Sequence, residues 1–190
     1  IGLDISISNP DVLYAFYDQH INEGEDYSFR GIFKTIDGGE SWVQTNDNSI
    51  MDMSSRFGWY FGQIRIDPGN PDRVYALGVD LVRTENGGSS WEAIAGYWNF
   101  DDIHVDHHSM YINPNTGSIL IGNDGGLYRS DNYGNSWVYI NNIPLTQFYA
   151  IEVDYQQPHQ IYGGTQDNNT IRTLSGNPND WHPILGGDGF

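Results

Sequence analysis

The sequence predicts an all-β protein made of short strands joined by tight turns, and three observations lead to this prediction. Aromatic residues make up 14% of the chain, and 23 of its 190 residues are glycine. Asn, Asp, Gly and Ser interrupt the chain about every ten residues, a spacing typical of short strands linked by turns. No stretch of ten or so residues has apolar side chains at helical spacing with a cap at each end. Helix content should therefore be small.

An eight-residue motif, the octet, recurs along the chain and divides it into similar units. Its copies occupy residues 35–42, 84–91 and 130–137, and a degenerate fourth copy ends at Trp181. Each clear copy begins with Ser or Thr and ends in Trp. A repeat with a fixed period of about 20 to 50 residues indicates an architecture of stacked units.

Each unit divides into four strands of about five residues, an ordinary strand length. In the second unit the predicted strands are residues 62–67, 73–78, 80–84 and 90–94. A repeated four-stranded unit of roughly 40 to 50 residues is the pattern of a β-propeller blade. The sequence predicts blades at residues 3–45, 62–94, 108–140 and 147–184, with residues 186–190 starting a further blade.

The octet is predicted to form the turn between the third and fourth strands of each blade. Its glycines can adopt a positive φ, and its third position carries a carboxylate or amide that can accept turn N–H groups. The third-position residues are Asp37, Asn86 and Asn132. The tryptophans that close the octets are predicted to be buried structural anchors. These are Trp42, Trp91, Trp137 and Trp181.

The octet resembles the Asp-box of BNR-repeat β-propellers, which include sialidases, sortilin-type luminal domains and xyloglucan-cleaving propellers. Residues 106–108, 123–126, 147–149 and 162–168 resemble a bacterial group of sortilin-like BNR repeat proteins. The resemblance implies a β-propeller and an extracellular, periplasmic or cell-surface location. It implies no single activity.

Four blades could close a small ring or form an arc of a larger one. We expect the arc, because the resembling proteins are longer and the chain begins and ends without caps. An open arc leaves an uncovered sheet at each end, which proteins normally pair or cover. The expected structural partners are therefore the remaining blades of a longer chain or a second copy of this one.

Charge and composition exclude several classes of function. The chain has 25 acidic and 8 basic residues and a net charge of −17, which would repel nucleic acids and anionic membranes. It has no cysteine, which excludes disulfides, thiolate metal sites and thiol nucleophiles. No apolar run approaches the roughly 20 residues that span a bilayer. No cofactor is certain, but the many acidic turns could bind Ca²⁺.

Loop length predicts which rim of the blades carries function. The turns on the octet side are short and repetitive, whereas the opposite rim carries long irregular segments, where functional groups concentrate. These segments are residues 18–30, 46–61, 95–107, 123–126 and 166–169.

The long segments are rich in aromatic and planar polar side chains. Such side chains suit a neutral sugar, which has a C–H face and a belt of hydroxyl groups. The predicted ligand-binding residues are Trp59, Tyr60, Trp98, His104 and Gln166. Alternatively, Trp59, Tyr60 and Trp98 cover the ends of blades.

The densest polar cluster is residues 104–108. In an extended segment His104, Asp106 and His108 would point to one side, where they could bind a transition metal. The alternative is a structural role, with histidines bonded to backbone carbonyls. The candidate catalytic residues are Asp106, His107, His108, Asp124 and Asp167, and together with His104 they are expected to border one pocket.

Two activities remain open at this stage. A glycoside hydrolase needs two carboxyl groups that flank the scissile bond, and the sequence offers many acids but does not identify a pair. A sialidase would need an arginine cluster, and only Arg30 and Arg56 lie in the candidate loops. We therefore expect a binding scaffold for a glycan, protein or peptide. The alternative is a glycoside hydrolase that acts on a neutral polysaccharide with an Asp/Glu pair.

Overall fold

The structure is a computed structural model that describes residues 1–20, 27–45, 48–50, 52–55, 57–96, 103–143 and 145–189. The described residues form four sheets, each of four antiparallel strands. Their helical part is one 3-10 turn, Asn48–Ile50. This arrangement confirms the predicted all-β fold with four-stranded, blade-like sheets. In the same ranges, no helix has the length and apolar character needed to cross a membrane.

The strands follow one another in chain order within every sheet, as in an up-and-down blade. Sheet 1 contains β1 (Gly2–Ile5), β2 (Leu13–His20), β3 (Tyr27–Thr35) and β4 (Val43–Gln44). Sheet 2 contains β5 (Gln63–Asp67), β6 (Asn70–Leu77), β7 (Leu81–Thr84) and β8 (Glu92–Ala95). Sheet 3 contains β9 (His107–Ile112), β10 (Ile119–Asn123), β11 (Gly126–Ser130) and β12 (Val138–Tyr139). Sheet 4 contains β13 (Phe148–Val153), β14 (Ile161–Thr165), β15 (Thr170–Thr173) and β16 (Trp181–Leu185).

The chain divides into two compact units. Unit 1 comprises residues 1–123 and 127–139, and unit 2 comprises residues 124–126 and 140–190. Sheets 1, 2 and nearly all of sheet 3 belong to unit 1, whereas sheet 4 belongs to unit 2.

In unit 1, sheets 2 and 3 each bury one face against the sheet before them. The innermost strands touch in sequence, β1 with β5 and β5 with β9. We call the face that a sheet turns toward the preceding sheet its leading face. On sheet 2, the buried leading-face residues are Ile64, Ile66, Val74, Ala76, Val82 and Trp91. Their equivalents on sheet 3 are Met110, Ile112, Ile119, Ile121, Tyr128 and Trp137.

The first three octets form turns with the same hydrogen bonds. In the first turn, the Thr35 hydroxyl donates to Asp37 Oδ1 at 2.6 Å, and Ser41 N donates to the same oxygen at 2.9 Å. In the second, the Thr84 hydroxyl donates to Asn86 Oδ1 at 3.0 Å, and Ser90 N donates to the same oxygen at 2.9 Å. In the third, the Ser130 hydroxyl donates to Asn132 Oδ1 at 2.9 Å, and Ser136 N donates to the same oxygen at 3.0 Å. The side-chain oxygen common to Asp and Asn therefore organises the turn.

Octet tryptophans are buried where a preceding sheet covers them. Trp91 is 7% exposed in the core with sheet 1, and Trp137 is similarly buried in the core with sheet 2. Trp181, in unit 2, is half-buried against the Phe148 ring at 5.5 Å. The expectation that all four are buried is therefore confirmed for Trp91 and Trp137 only. Trp42 is 39% exposed, because no other sheet of unit 1 packs over it.

The leading face of sheet 1 is apolar and uncovered within unit 1. Its residues occupy the same repeat positions as the buried leading faces of sheets 2 and 3, and they are Leu3, Ile5, Leu13, Ala15, Phe33 and Trp42. Leu3 is 59% exposed, whereas its equivalents Ile64 and Met110 are buried. Sheet 1 therefore carries a face suited to another sheet of this kind.

Candidate functional site

The most prominent exposed group in unit 1 is the aromatic turn, residues 57–61, which precedes β5. Trp59 is 61% exposed and Tyr60 is 56% exposed, although both are large rings. Their ring centroids lie 5.3 Å apart, and Tyr60 makes an edge contact with Phe61 at the same distance. Backbone hydrogen bonds from Tyr60 N and Phe61 N to Phe57 O hold the turn. The turn therefore presents two adjacent, largely exposed rings to solvent.

His108, at the start of β9, extends this surface. Its ring centroid lies 5.2 Å from that of Tyr60 and 5.5 Å from that of Phe61. The Gln63 side chain donates a hydrogen bond to the His108 carbonyl oxygen, which fixes the start of β9 beside β5. We call Phe57, Trp59, Tyr60 and His108 together the aromatic surface. It joins rings from two neighbouring sheets.

Asp18 lies against the aromatic turn and is a residue that the sequence analysis did not select. It is located in β2 at an irregularity in the pairing with β3, and such bulges redirect side chains. A Cβ atom at Gly58 would lie only 2.4 Å from the Asp18 carboxyl carbon. The backbone of Gly58 therefore packs directly on this carboxyl group.

The Asp18 carboxyl group lacks the partners that a buried charge needs. Both oxygens are shielded from solvent, and neither accepts a hydrogen bond from a described residue. Burial raises the pKa of Asp18 to about 6, and the amino group of Ile1 opposes this shift. A carboxyl group that binds its proton near pH 6 can change its charge within the physiological range.

The histidine cluster is not extended throughout. Asp106 has a left-handed φ of 64°, and β9 begins only at His107, so the predicted alternation of His104, Asp106 and His108 does not hold. His104 Nδ1 lies 3.1 Å from the Val105 carbonyl oxygen, as in the structural alternative. Within the described residues, no group of three close ligand atoms includes His104 or His108. Binding of a transition metal by His104, Asp106 and His108 stays a prediction.

His107 is buried and neutral. Its side chain is inaccessible, and neither ring nitrogen has a hydrogen-bond partner among the described residues. Burial, followed by the charges of His104 and His108, lowers its pKa to about 3. Since the folded imidazole does not take up a proton near neutral pH, His107 fits a packing role there better than proton transfer.

Three further candidates lie in unit 2. Gln166 donates to Asp124 Oδ2 at 3.2 Å, and Asp167 N donates to Asp188 Oδ1 at 3.0 Å. Burial raises the pKa of Asp167, and the neighbouring Asp124 and Asp188 act in the same direction. These carboxyl groups are thus close neighbours, and Ca²⁺ binding there stays a prediction.

Trp98 lies outside the described residues, and the single pocket predicted for residues of both units also stays a prediction.

A polar pocket between sheets 2 and 3 has a structural explanation. Arg83, Glu92, Ile103 and Trp137 are among its lining residues. Arg83 pairs with Glu92 at 2.6 Å and donates to the Tyr133 carbonyl oxygen at 2.6 Å. The arginine thereby ties the third octet turn to sheet 2.

Comparison with known proteins identifies distant relatives among xyloglucanases. No family model matches the chain. A xyloglucanase of Acetivibrio thermocellus, Xgh74A, is 25% identical over 182 residues, which cover 85% of this chain and 20% of the relative. A second Xgh74A sequence from the same organism is 24% identical over the same length and coverage. This chain thus spans about a fifth of the curated relatives that it matches.

Solved structures of GH74 enzymes are similar in fold. An ancestral GH74 enzyme matches with a TM-score of 0.52 and 18% identity, over 98% of this chain and 24% of that one. The GH74 enzyme of Niastella koreensis matches with a TM-score of 0.54 and 14% identity, over 97% of this chain and 30% of that one. The chain therefore has the fold of part of a β-propeller.

Proposed function

We propose that this chain is part of a β-propeller scaffold that binds a neutral polysaccharide on the aromatic surface of unit 1. The single observation that supports this proposal most is the pair of adjacent exposed rings, Trp59 and Tyr60. Exposure of large rings to water is unfavourable, and covering them with a ligand removes apolar surface from water, which is favourable. The alternative ligand for this surface is a protein or peptide.

A neutral glycan fits the chemistry of this surface. The C–H face of a sugar ring can pack on the flat faces of Trp59 and Tyr60, and its hydroxyl groups can bond to nearby polar atoms. The net charge of −17 disfavours an anionic ligand. The likeness to Xgh74A suggests xyloglucan oligosaccharides as the first probe. With this ligand we propose an extracellular, periplasmic or cell-surface location.

Replacing Trp59 by alanine should weaken binding of a xyloglucan oligosaccharide. Loss of one ring face removes on the order of 1.4 kcal/mol of apolar burial, which corresponds to about a tenfold higher Kd. Isothermal titration calorimetry would measure this change. Tyr155→Ala is the matched control, because Tyr155 is a highly exposed ring in unit 2. Equal affinity of the wild type and Trp59→Ala would contradict the proposal, and binding of peptides alone would favour the other occupant.

Glycoside hydrolysis is the second candidate function, and the likeness to a xyloglucanase is the observation that favours it. Hydrolysis requires two carboxyl groups about 5 to 9.5 Å apart on either side of the bond. Release of reducing ends from xyloglucan by the chain, or by a longer protein that contains it, would replace the binding proposal with this one.

The uncovered leading face of sheet 1 should bind another blade-like sheet, from the remaining blades of a longer chain or from a second copy. The proposal is supported by the equivalence of Leu3 and Ile5 to residues that are buried in sheets 2 and 3. The docked sheet would bury this face, as sheet 1 buries the leading face of sheet 2 and sheet 2 buries that of sheet 3.

Self-association of the 190-residue chain tests this second surface. Sedimentation velocity should show association that increases with concentration and is reduced by Leu3→Glu, because a charge would be buried in the contact. Ile36→Glu is the control, because Ile36 is also largely exposed but lies in the octet turn. Association that is unchanged by Leu3→Glu, or a chain that stays monomeric at high concentration, would contradict docking of a second copy.

A further inference from the structure

Asp18 and the aromatic turn are mechanically connected in unit 1. The carboxyl group fills the space that a side chain at residue 58 would occupy, so only glycine allows the turn to lie this close. Gly62, directly after the turn, is also near, since a Cβ there would be 3.8 Å from Asp18 Oδ2. The Phe16 ring packs against the same glycine. A shift of the carboxyl group would therefore displace the turn that carries Trp59.

The surroundings of Asp18 favour its uncharged form. On β3 its paired residue is Phe29, which is buried, and the aromatic turn contributes the Gly58 backbone. The amino group of Ile1, the residue before β1, acts in the opposite direction and favours the ionised form. Burying an ionised carboxylate without hydrogen bonds costs several kcal/mol unless the group is hydrated or neutralised. Ionisation should therefore be relieved by opening the turn to water.

We propose that Asp18 is a positioning residue whose proton controls the aromatic turn. When the carboxyl group is protonated, the turn stays packed on it and holds Trp59 and Tyr60 in place for a glycan. When the carboxyl group ionises, the turn lifts and the glycan is bound less tightly. This inference rests on the proposed function for its ligand, whereas the movement of the turn does not.

The direction of the pH effect follows from the raised pKa. The folded pKa of about 6 lies above that of an unfolded aspartate, so the packed turn is stable at low pH. Its stability decreases as the pH rises from about 4 to about 6, because the proton is then lost more readily from the open form. Glycan affinity should decrease over the upper part of this range and level off above it, where both forms are ionised.

Tryptophan fluorescence from pH 4.5 to 8 tests the movement without any ligand. The contribution of Trp59 is the wild-type fluorescence minus that of Trp59→Phe. This contribution should change with a midpoint near pH 6 in the wild type. It should be constant in Asp18→Asn, because the amide cannot ionise. Asp37→Asn is the matched control, since Asn already occupies the equivalent position in the second and third octet turns. This variant should titrate like the wild type.

His108 also touches the aromatic turn, through Tyr60 and Phe61, so its protonation must be distinguished from that of Asp18. A fluorescence change caused by His108 would persist in Asp18→Asn and disappear in His108→Gln. That result, or a wild-type signal without a midpoint in this range, would overturn the proposal. The expected result is loss of the transition in Asp18→Asn and its retention in His108→Gln.

The affinity for a xyloglucan oligosaccharide provides the second measurement. Linkage to one proton limits the loss to about tenfold per pH unit, and only between the open-form pKa of about 4 and the packed-form pKa of about 6, so we expect a loss of about 3- to 10-fold between pH 5 and pH 7.5. Asp18→Asn should bind equally well at both pH values. If no glycan binds at any pH, the proposed function fails while the fluorescence titration still tests Asp18. If a glycan binds with the same pH dependence in Asp18→Asn, the positioning role fails and the proposed function stands.

Discussion

Replacing Trp91 by alanine should lower the free energy of unfolding by about 3 to 5 kcal/mol, as for other large buried aromatic residues. Trp91 is 7% exposed and belongs to the core between sheets 1 and 2. Its removal would leave a cavity that both sheets line. Because these two sheets support the aromatic turn, the variant should also show earlier thermal unfolding of unit 1. Denaturant unfolding followed by circular dichroism would measure the loss.

Trp42→Ala is the matched control for this experiment. Trp42 occupies the same octet position, but it is 39% exposed, and its indole N–H donates to the Gly39 carbonyl oxygen at 3.1 Å. The loss should be well below that of Trp91→Ala, since little buried contact is removed. Equal losses in the two variants would show that a sheet other than those described covers Trp42 in solution.

Replacing Gly88 by alanine should have the second largest effect. Gly88 has a φ of 91°, and a Cβ there would lie 2.4 Å from Thr45 Cβ. The substitution therefore combines backbone strain of about 1 to 3 kcal/mol with overpacking of about 1 to 3 kcal/mol. Thr45 cannot withdraw easily, because its hydroxyl and its N–H both donate to the Ile32 carbonyl oxygen.

Gly39→Ala separates the two contributions. Gly39 has a similar φ of 99° in the first octet turn, but the nearest atom to its Cβ position is 3.9 Å away in the Trp42 ring. This variant should therefore lose only the strain term. The difference between the two variants, measured by denaturant unfolding, gives the cost of the contact with Thr45. If both variants lose the same amount, the close approach contributes nothing.

The repeat made the fold predictable, because each octet marks the same turn in each blade. Strand positions follow from that mark, although β6 begins at Asn70 and not at residue 73. The reason is the tight connection after β5, across which Asn70 pairs with Asp67 at an irregularity. Local pairing of this kind depends on backbone geometry that turn composition alone does not determine.

The candidate site was only partly predictable. Trp59 and Tyr60 stand out in the sequence because large rings in an irregular loop need an explanation. Asp18 did not, because burial of a single carboxyl group depends on which backbone packs against it, here that of Gly58. One signal was available: Asp18 follows Leu13 by the same number of residues as Asp124 follows Ile119 in the third unit.

The octet turns also influence how this protein ages chemically. Asn86 is followed by Gly87, and an asparagine in this context can lose its amide when the glycine nitrogen attacks the side-chain carbonyl carbon. In the folded turn that nitrogen donates to the Asp72 carbonyl oxygen at 2.8 Å, which restrains the attack. Hydrolysis that restores the normal backbone leaves an aspartate, the residue that already organises the first turn at Asp37. The aspartate product therefore adds one negative charge and keeps the side-chain oxygen that accepts the turn N–H groups, whereas the isoaspartate product, which lengthens the backbone, would not.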